Sequence, residues 1–449
     1  MNPEFRRNLW LELTLHRLVA MPAVLLLVLA LVYAASEHGA DSVATAAAVI
    51  AAGLLGIWGA RCTADSVVDE VRERTWDAQR MSAIGPWAMA WGKLFGAASF
   101  AWYGALMALG VLLLAAPRGW AQSPGRVAAL IAAAGLLVQA AGCLGGLAAA
   151  RKGQARKGAV GGLALLMLLL VIGPAVSLVA EAGRELSWWR GRYDLVDFLL
   201  GSSVVFAAWA VFGVYRTLAT ELQVRTTPWA FAAFAVFLGA YLAGFWVPAG
   251  ATSALGRNAF LIAGLLVAIV LTYVQLFSED TGVIVFRRVQ VRLARQEWRR
   301  ALEELPCWPV GLLLAGLFAV LCLPLLEVPA DAPAPLHALA RAPGALFLLL
   351  VRDSAIFLGF AFSRRPRRVE AAALFYMVLL YGIVPGLLSS AGFEALAHFV
   401  LPPVLAFPGK AAFIAAVHAL HQCRGPHQQA NRLVIPGISN RVEVLFSHR

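Results

Sequence analysis

The chain is 449 residues long, with 61% in the AVILMFWYC class and 14% charged, against roughly 45–50% apolar and about 25% charged in soluble domains. That excess excludes a soluble enzyme or binding domain, and runs such as Leu163 to Ile172, apolar all round, exclude a β-barrel, whose strands alternate apolar and polar residues. The net charge of +12 lies in short stretches between apolar runs and not along one groove-sized face, so it reads as membrane topology and not as a nucleic-acid site.

Residues 1–17 are too polar to span a bilayer, yet Phe5, Leu9, Leu13 and Val19 recur near helical spacing, with Arg6, Arg7, Glu12 and His16 elsewhere on the wheel. They predict an amphipathic helix on the cytoplasmic membrane surface. The segment from Leu218 to Thr227 is a second candidate for the same part. Basic residues before an apolar stretch, with Val32-Tyr33-Ala34, also fit a cleaved signal peptide. Removing one span would turn every later loop against the basic-residue rule, so the N-terminus is expected to be retained.

A span needs about 20 mostly apolar residues. Ending the apolar runs at Pro, Gly and charge clusters gives twelve, at 18–35, 42–62, 94–116, 127–150, 158–180, 196–215, 228–248, 258–278, 308–326, 342–362, 371–389 and 395–419. The chain is therefore read as an all-α polytopic membrane protein. A cytoplasmic N-terminus puts Arg6, Arg7 and Arg17 inside, then Arg72, Arg74, Arg80 and Lys93, then Arg151, Lys152, Arg156 and Lys157. The second part repeats this with Arg216 and Arg225, the stretch 287–300, the run Arg364, Arg365, Arg367 and Arg368, and a C-terminal tail at 421–449. Loops on the other side are poor in Lys and Arg, apart from Arg184, Arg190 and Arg192 between spans five and six, so both termini are placed in the cytoplasm. Cys62, Cys143, Cys307, Cys322 and Cys423 are scattered and suggest neither a disulfide framework nor a zinc knuckle.

The spans divide into two tandem six-helix halves, 18–216 and 217–420, each with its longest cytoplasmic connection after its second span, at 64–93 and 278–307. Laying Leu136–Lys152 over Leu349–Arg365 matches Leu136 with Leu349, Val138 with Val351, Gly146 with Gly359 and Arg151 with Arg364. An even number of spans per half gives both the same orientation, with a pseudo-twofold axis along the membrane normal.

The most informative stretch runs from Glu70 to Lys93. Glu70 is followed by Thr75-Trp76-Asp77, a short charged helix to Arg80, a break at Ser82 and Pro86, and Gly92-Lys93 opening the third span. This order resembles the cytoplasmic segment of permease subunits of ATP-binding cassette exporters of the type-2 class. The six-span half, the amphipathic N-terminal helix and the long connection after the second span are similar to that family as well. The resemblance covers the first half well and the second mainly by topology.

It implies a permease in the inner membrane of a bacterium, driven by ATP and Mg held on a separate ATPase chain, in two copies for a fused pair, with no cofactor on this chain. It also implies that Glu70, Arg74, Thr75, Trp76, Asp77, Arg80, Ser82, Pro86 and Lys93 couple the ATPase to the spans. Trp76 is expected to fill a pocket of the partner, with Glu70, Arg74, Asp77 and Arg80 setting register by charge. The alternative is a solvated interfacial loop. The second connection departs from the pattern, with Glu279-Asp280-Thr281 at its start, seven basic or aromatic positions from Arg287 to Arg300, and Pro306-Cys-Trp-Pro309 in place of Gly-Lys. No phosphate loop occurs in the chain, since neither Gly92-Lys93 nor Gly409-Lys410 has the preceding Gly or the following hydroxyl residue.

Arg352 and Asp353 fall in the middle of span ten, where charge is costly and marks either a substrate path or a structural interhelical pair. Adjacent helical residues point about 100° apart, so each is expected to meet a polar group on another helix or a wet cavity. The repeat sets Gln139 opposite Arg352 and predicts polar groups at one depth of an interface shared by the halves. His418, His421, Cys423 and His427 cluster at the end of the last span, but Gly425 and Pro426 interrupt them and no metal site is assigned. The outer segment from Glu181 to Tyr193, with Trp188 and Trp189, is either an aromatic anchor or an outer gate.

A secondary transporter with two parallel six-helix halves is the competing function. The loop after span two lacks the Gly-x-x-x-Asp-Arg-x-Gly-Arg-Arg pattern of the major facilitator family, and acidic groups within spans are otherwise missing. A membrane enzyme or scaffold has no catalytic constellation to support it.

Overall fold

A computed structural model describes residues 2–36, 39–82, 84–116, 123–151, 185–224, 226–247, 253–279, 283–325, 334–362 and 369–393. Among them the chain is almost wholly helical, as continuous apolar runs with internally paired backbone require in lipid. It packs as two compact units, Met1–Leu314 and Ala315–Arg449. The expected fifth span at 158–180, the twelfth at 395–419, the run Arg364–Arg368, the His-rich cluster and the tail at 421–449 lie outside the described residues.

In the first unit α1 is Pro3–Glu12, α2 Leu15–Ala35, and α3 Gly39–Arg72, with a π turn at Leu54–Trp58. Short α4, Trp76–Arg80, leads to α5, Pro86–Gly96, which bends by 54° into α6, Ser99–Ala115. Next come α7, Pro124–Arg151, a hairpin of β1, Glu185–Trp188, and β2, Gly191–Asp194, then α8, Leu195–Glu221, α9, Trp229–Gly244, and α10, Ser253–Ser278. Then α11, Val283–Ala294, and α12, Trp298–Glu304, lie in the second expected connection. At a 100° bend, α12 gives way to α13, Cys307–Leu325, which crosses into the second unit. That unit holds α14, Ala334–Ala361, and α15, built of Val369–Val378, a π turn at Leu379–Ile383, and Val384–Ser390.

Among the described residues, six helices are long and apolar enough to cross a membrane, or up to eight if each bent pair counts as one span. Two shorter apolar helices, Trp229–Gly244 and Ala372–Leu388, fall at the expected seventh and eleventh spans. The 34 residues of α3 give roughly 50 Å of helix, well beyond a hydrocarbon core of about 30 Å. Its last turns therefore project from the membrane, so the first part of the connection is helical. Similarly, α8 continues to Glu221, so the segment from Leu218 is the end of a span helix and not a separate surface helix.

The first unit closes by close approach of small residues, the packing mode available where lipid removes any hydrophobic drive between helices. A Cβ on Gly142 would sit 2.6 Å from the Ala60 carbonyl oxygen, and one on Gly146 would sit 2.7 Å from that of Ala64. Backbone touches backbone there, and α3 and α7 are held together along their length. One buried cluster, including Leu25, Ala47, Leu55, Ala108 and Leu112, joins α2, α3 and α6. A second, including Val67, Trp76, Met89, Leu94, Cys143, Leu147 and Leu218, lies at the end that carries the first connection.

Candidate functional site

The C-terminal end of α3 carries the site. Its last turn closes in a Schellman motif: Thr75 N–H donates to the Glu70 carbonyl at 3.0 Å and Arg74 N–H to that of Val71 at 3.3 Å. Arg74 occupies the left-handed position of that motif with φ 58°, a place usually taken by glycine. The turn drops Trp76 and the rest of α4 back against α3 and α5.

Between these elements the Glu70 carboxylate, 8% exposed, accepts from Lys93 Nζ, from Gln79 Nε2 at 2.7 Å and from Arg7 Nη2 at 2.8 Å. Lys93 is fully buried and its ammonium also lies 5.3 Å from the centre of the Trp76 ring. Arg7 reaches a second buried carboxylate, Glu4, at 3.1 Å. Two anions and two cations thus balance in one cluster, as buried charge requires.

The first helix docks through its polar side and not its apolar one. Asn2 caps its N-terminus and donates to the Ala88 carbonyl at 2.6 Å, and Asn8 Nδ2 donates to the Gly92 carbonyl at 3.2 Å. Gly92–Gly96 is a π turn, and the Gly92 carbonyl accepts from both Ala97 N–H and Asn8. A Cβ on Gly92 would collide with the Glu4 side chain, so glycine there is what lets the helices meet. Trp10 and Leu11, 74% and 64% exposed, are left on the outside, where an interfacial helix places its apolar face.

The residues expected to couple an ATPase therefore divide in two. Glu70, Trp76 and Lys93 are buried together, and Trp76 at 8% exposure sits in the protein's own core. The expected insertion of Trp76 into a partner's pocket is corrected by that burial: the ring faces α5 and α7 because the αL turn at Arg74 reverses the chain. Arg74, Thr75, Asp77 and Ser82 are exposed, and Met81, 83% exposed, stands out among them. Arg80 is half-buried, with Nε donating to the Glu221 carbonyl at 3.0 Å, which ties α4 to the end of α8. Pro86 starts α5 at its first position, where its missing N–H costs nothing. The roles of Arg7, Asn8, Gln79 and Met81 were missed in the sequence, where Asn2 before Pro3 is a helix-start signal that could have marked the docked end of α1.

The intramembrane polar residues are each engaged locally. The π turn in α3 exposes the Leu55 carbonyl, which accepts from Gln139 Nε2 at 2.9 Å, while Gln139 Oε1 accepts from Trp102 Nε1 at 3.0 Å. Gln139 is fully buried, so its amide is used inside the first unit and is not presented to an interface between halves. In the second unit Asp353, also fully buried, accepts from Tyr381 on α15 and from Arg352 Nε at 3.1 Å. Asp353 thus meets a polar group on another helix, as expected, and the long Arg352 side chain also folds along its own helix to Asp353, with its guanidinium 5.0 Å from the centre of the Tyr381 ring.

At the second connection the Glu279 carboxylate accepts from Cys307 N–H at 2.8 Å and Trp308 N–H at 3.4 Å, so it caps α13. An acidic residue at the end of one helix thus holds the start of the next membrane helix here, as Glu70 does through Lys93. Arg292 pairs with Glu297 and Glu304. Hydrogen bonding from Arg300, then from Arg292, holds the Glu297 carboxyl below the usual carboxylate range.

On the opposite end the hairpin turns at Trp189 and Arg190, both with positive φ. Trp188 Nε1 donates to the Tyr241 carbonyl at 2.9 Å, Trp189 Nε1 to that of Ala240 at 3.0 Å and Trp189 N–H to that of Gly244 at 3.0 Å. These are the orphan carbonyls of the end of α9. The two tryptophans are a clamp on a helix end.

No family model, no curated protein and no solved structure matches the chain.

Proposed function

We propose that the chain is the membrane-spanning permease of an ATP-driven exporter of the ATP-binding cassette class, with twelve spans in two fused six-helix halves and both termini in the cytoplasm of a bacterial cell. A separate ATPase supplies nucleotide chemistry and docks on the first connection, with a second copy expected for a fused pair. The observation that carries this reading is the build of the first connection. Its inner face is locked to α1, α3 and α5 through the Glu70 carboxylate, while its outer rim, Arg74, Thr75, Asp77, Met81 and Ser82, is exposed. A rigid foot with an open contact rim can transmit displacement, because a partner that contacts it differently in its open and closed states shifts the helices behind it. The bend at the start of the third expected span of each half, 54° and 100°, and the acidic residue holding each span start support the tandem arrangement.

The test is purification of the full chain from its native membrane in mild detergent. An ATPase subunit is expected to accompany it, and Met81→Glu with Asp77→Lys is expected to release that subunit while the chain remains folded. Retention of the ATPase in that variant would remove the first connection as the coupling element.

A secondary, ion-coupled transporter is favoured by one observation, the Arg352–Asp353–Tyr381 cluster in the second unit, since intramembrane carboxylates recur in proton relays. Loss of substrate movement on collapsing the proton gradient at constant ATP, reproduced by Asp353→Asn, would select it.

A further inference from the structure

The second cytoplasmic connection carries a surface that the coupling role does not use. On α11 the side chains of Ile284, Arg287, Arg288 and Val291 are all exposed, as is Arg295 one residue beyond its end. At the helical period these positions fall within an arc of roughly 100°, so apolar and basic groups alternate along one stripe. Outside that arc Val289 is buried and Arg292 half-buried, the latter paired with Glu297 and Glu304, while Leu293 is exposed. By contrast, no ion pair engages Arg287, Arg288 or Arg295 among the described residues.

Exposed groups of the same kind follow on α12, beyond the left-handed turn at Gln296. Trp298 and Leu302 are 64% and 51% exposed, one helical turn apart, and Arg299 beside them is solvent-facing. This helix meets α13 at 100°. A helix perpendicular to a membrane-crossing helix, joined to it through Leu305-Pro306, lies in the plane of the bilayer surface. Tryptophan and leucine set among arginines in that plane are what an interfacial helix offers to acyl chains and to headgroup phosphates.

The geometry points to the stripe of Ile284, Arg287, Arg288, Val291, Arg295 and Trp298 as a docking surface for the anionic phospholipids of the cytoplasmic leaflet. The free guanidinium groups meet phosphate, with Ile284, Val291 and Trp298 entering the headgroup–acyl boundary. Charge complementarity selects this occupant: the stripe carries three unpaired cations and no carboxylate, and the cytoplasmic leaflet carries negative surface potential. Each arginine close to such a surface contributes about fivefold in partitioning, so the three together contribute on the order of a hundredfold. The asymmetry between the connections follows, with a foot locked by buried charge in the first and a lipid-seated strap in the second.

The experiment compares the full chain in nanodiscs of phosphatidylcholine alone with nanodiscs of phosphatidylcholine and phosphatidylglycerol in equal parts, read by hydrogen–deuterium exchange. Peptides covering 284–302 are expected to exchange at least tenfold more slowly in the anionic discs. The triple variant Arg287→Gln, Arg288→Gln, Arg295→Gln is expected to lose that difference, with exchange in 256–278 unchanged as the fold control, and the corresponding triple Arg→Lys variant to keep it. Equal exchange in both discs, or a difference that survives the Gln variant, would overturn the assignment. Protection by inorganic phosphate added to the neutral discs would also overturn it, since a soluble anion and not the bilayer would then be the occupant.

Discussion

Glu70→Gln tests whether the first connection is held by buried charge. The substitution keeps the shape of the side chain and removes the anion that faces Lys93, which has no exposure to water. Breaking a buried pair by neutralising one partner costs about 3 to 5 kcal/mol, because the other charge is left unsolvated. The Arg7 arm is different: its side chain is 46% exposed, so screening leaves its pair with Glu70 worth at most about 1 kcal/mol. The expected order is therefore Glu70→Gln far above Arg7→Gln. Native-state hydrogen exchange of amides in 67–96 reads the local opening free energy directly, and 3 to 5 kcal/mol corresponds to roughly two to three and a half decades in exchange rate. The double variant Glu70→Leu with Lys93→Met should recover most of the loss, since a matched apolar pair replaces a matched ionic one. Equal small effects for Glu70→Gln and Arg7→Gln would refute the argument that this cluster bears the load.

Trp76→Ala should destabilise the protein itself by about 3 to 5 kcal/mol, as for a large aromatic removed from a core, while Met81→Glu leaves unfolding unchanged and lowers ATPase affinity; thermal unfolding and binding titration separate the two. Gly142→Val or Gly146→Val puts a side chain against a backbone carbonyl that cannot move aside, and a loss of about 1 to 3 kcal/mol in detergent unfolding is expected. Tyr381→Phe removes a donor from the buried Asp353 carboxylate and should cost about 1.5 to 3 kcal/mol, read by the same unfolding assay, while no effect would mean that the carboxylate has another donor. The Glu297 carboxyl is lowered on folding, so its contribution is present above the unfolded carboxylate value and lost as pH falls through the folded one; protection of amides in 298–304 should fall over that acidic window and be flat at neutral pH.

Glu70 and Lys93 stood out in the sequence as members of one ordered stretch, but not as partners. Their meeting depends on how far α3 runs past the membrane and on the bend between α5 and α6, and neither has a local signal. The direction of Trp76 was hidden for a related reason: the reversal rests on a non-glycine residue, Arg74, in the left-handed region, where sequence rules expect glycine or asparagine. Gln296 does the same after α11 and Gln223 after α8. The apolar spacing marked a helix over residues 1–17, of which the structure keeps Pro3–Glu12 before the next helix starts at Leu15. Packing chose its polar side, because Asn8 donates to the Gly92 carbonyl of α5 while Glu4 pairs with Arg7, which also reaches Glu70. The π turns that aim Gln139 and Tyr381 have no sequence pattern at all. Apolar runs were legible because lipid makes their demand local, whereas the site depends on pairings such as Lys93 with Glu70 and Asn2 with Ala88, 23 and 86 residues apart.

The most direct measurement is the native mass of the complex isolated from its own membrane in mild detergent, with its nucleotide hydrolysis followed in the same sample. One copy of this 47.9 kDa chain with two ATPase subunits, hydrolysing ATP, is the predicted result. The chain alone, or two copies of it without any ATPase, would contradict it.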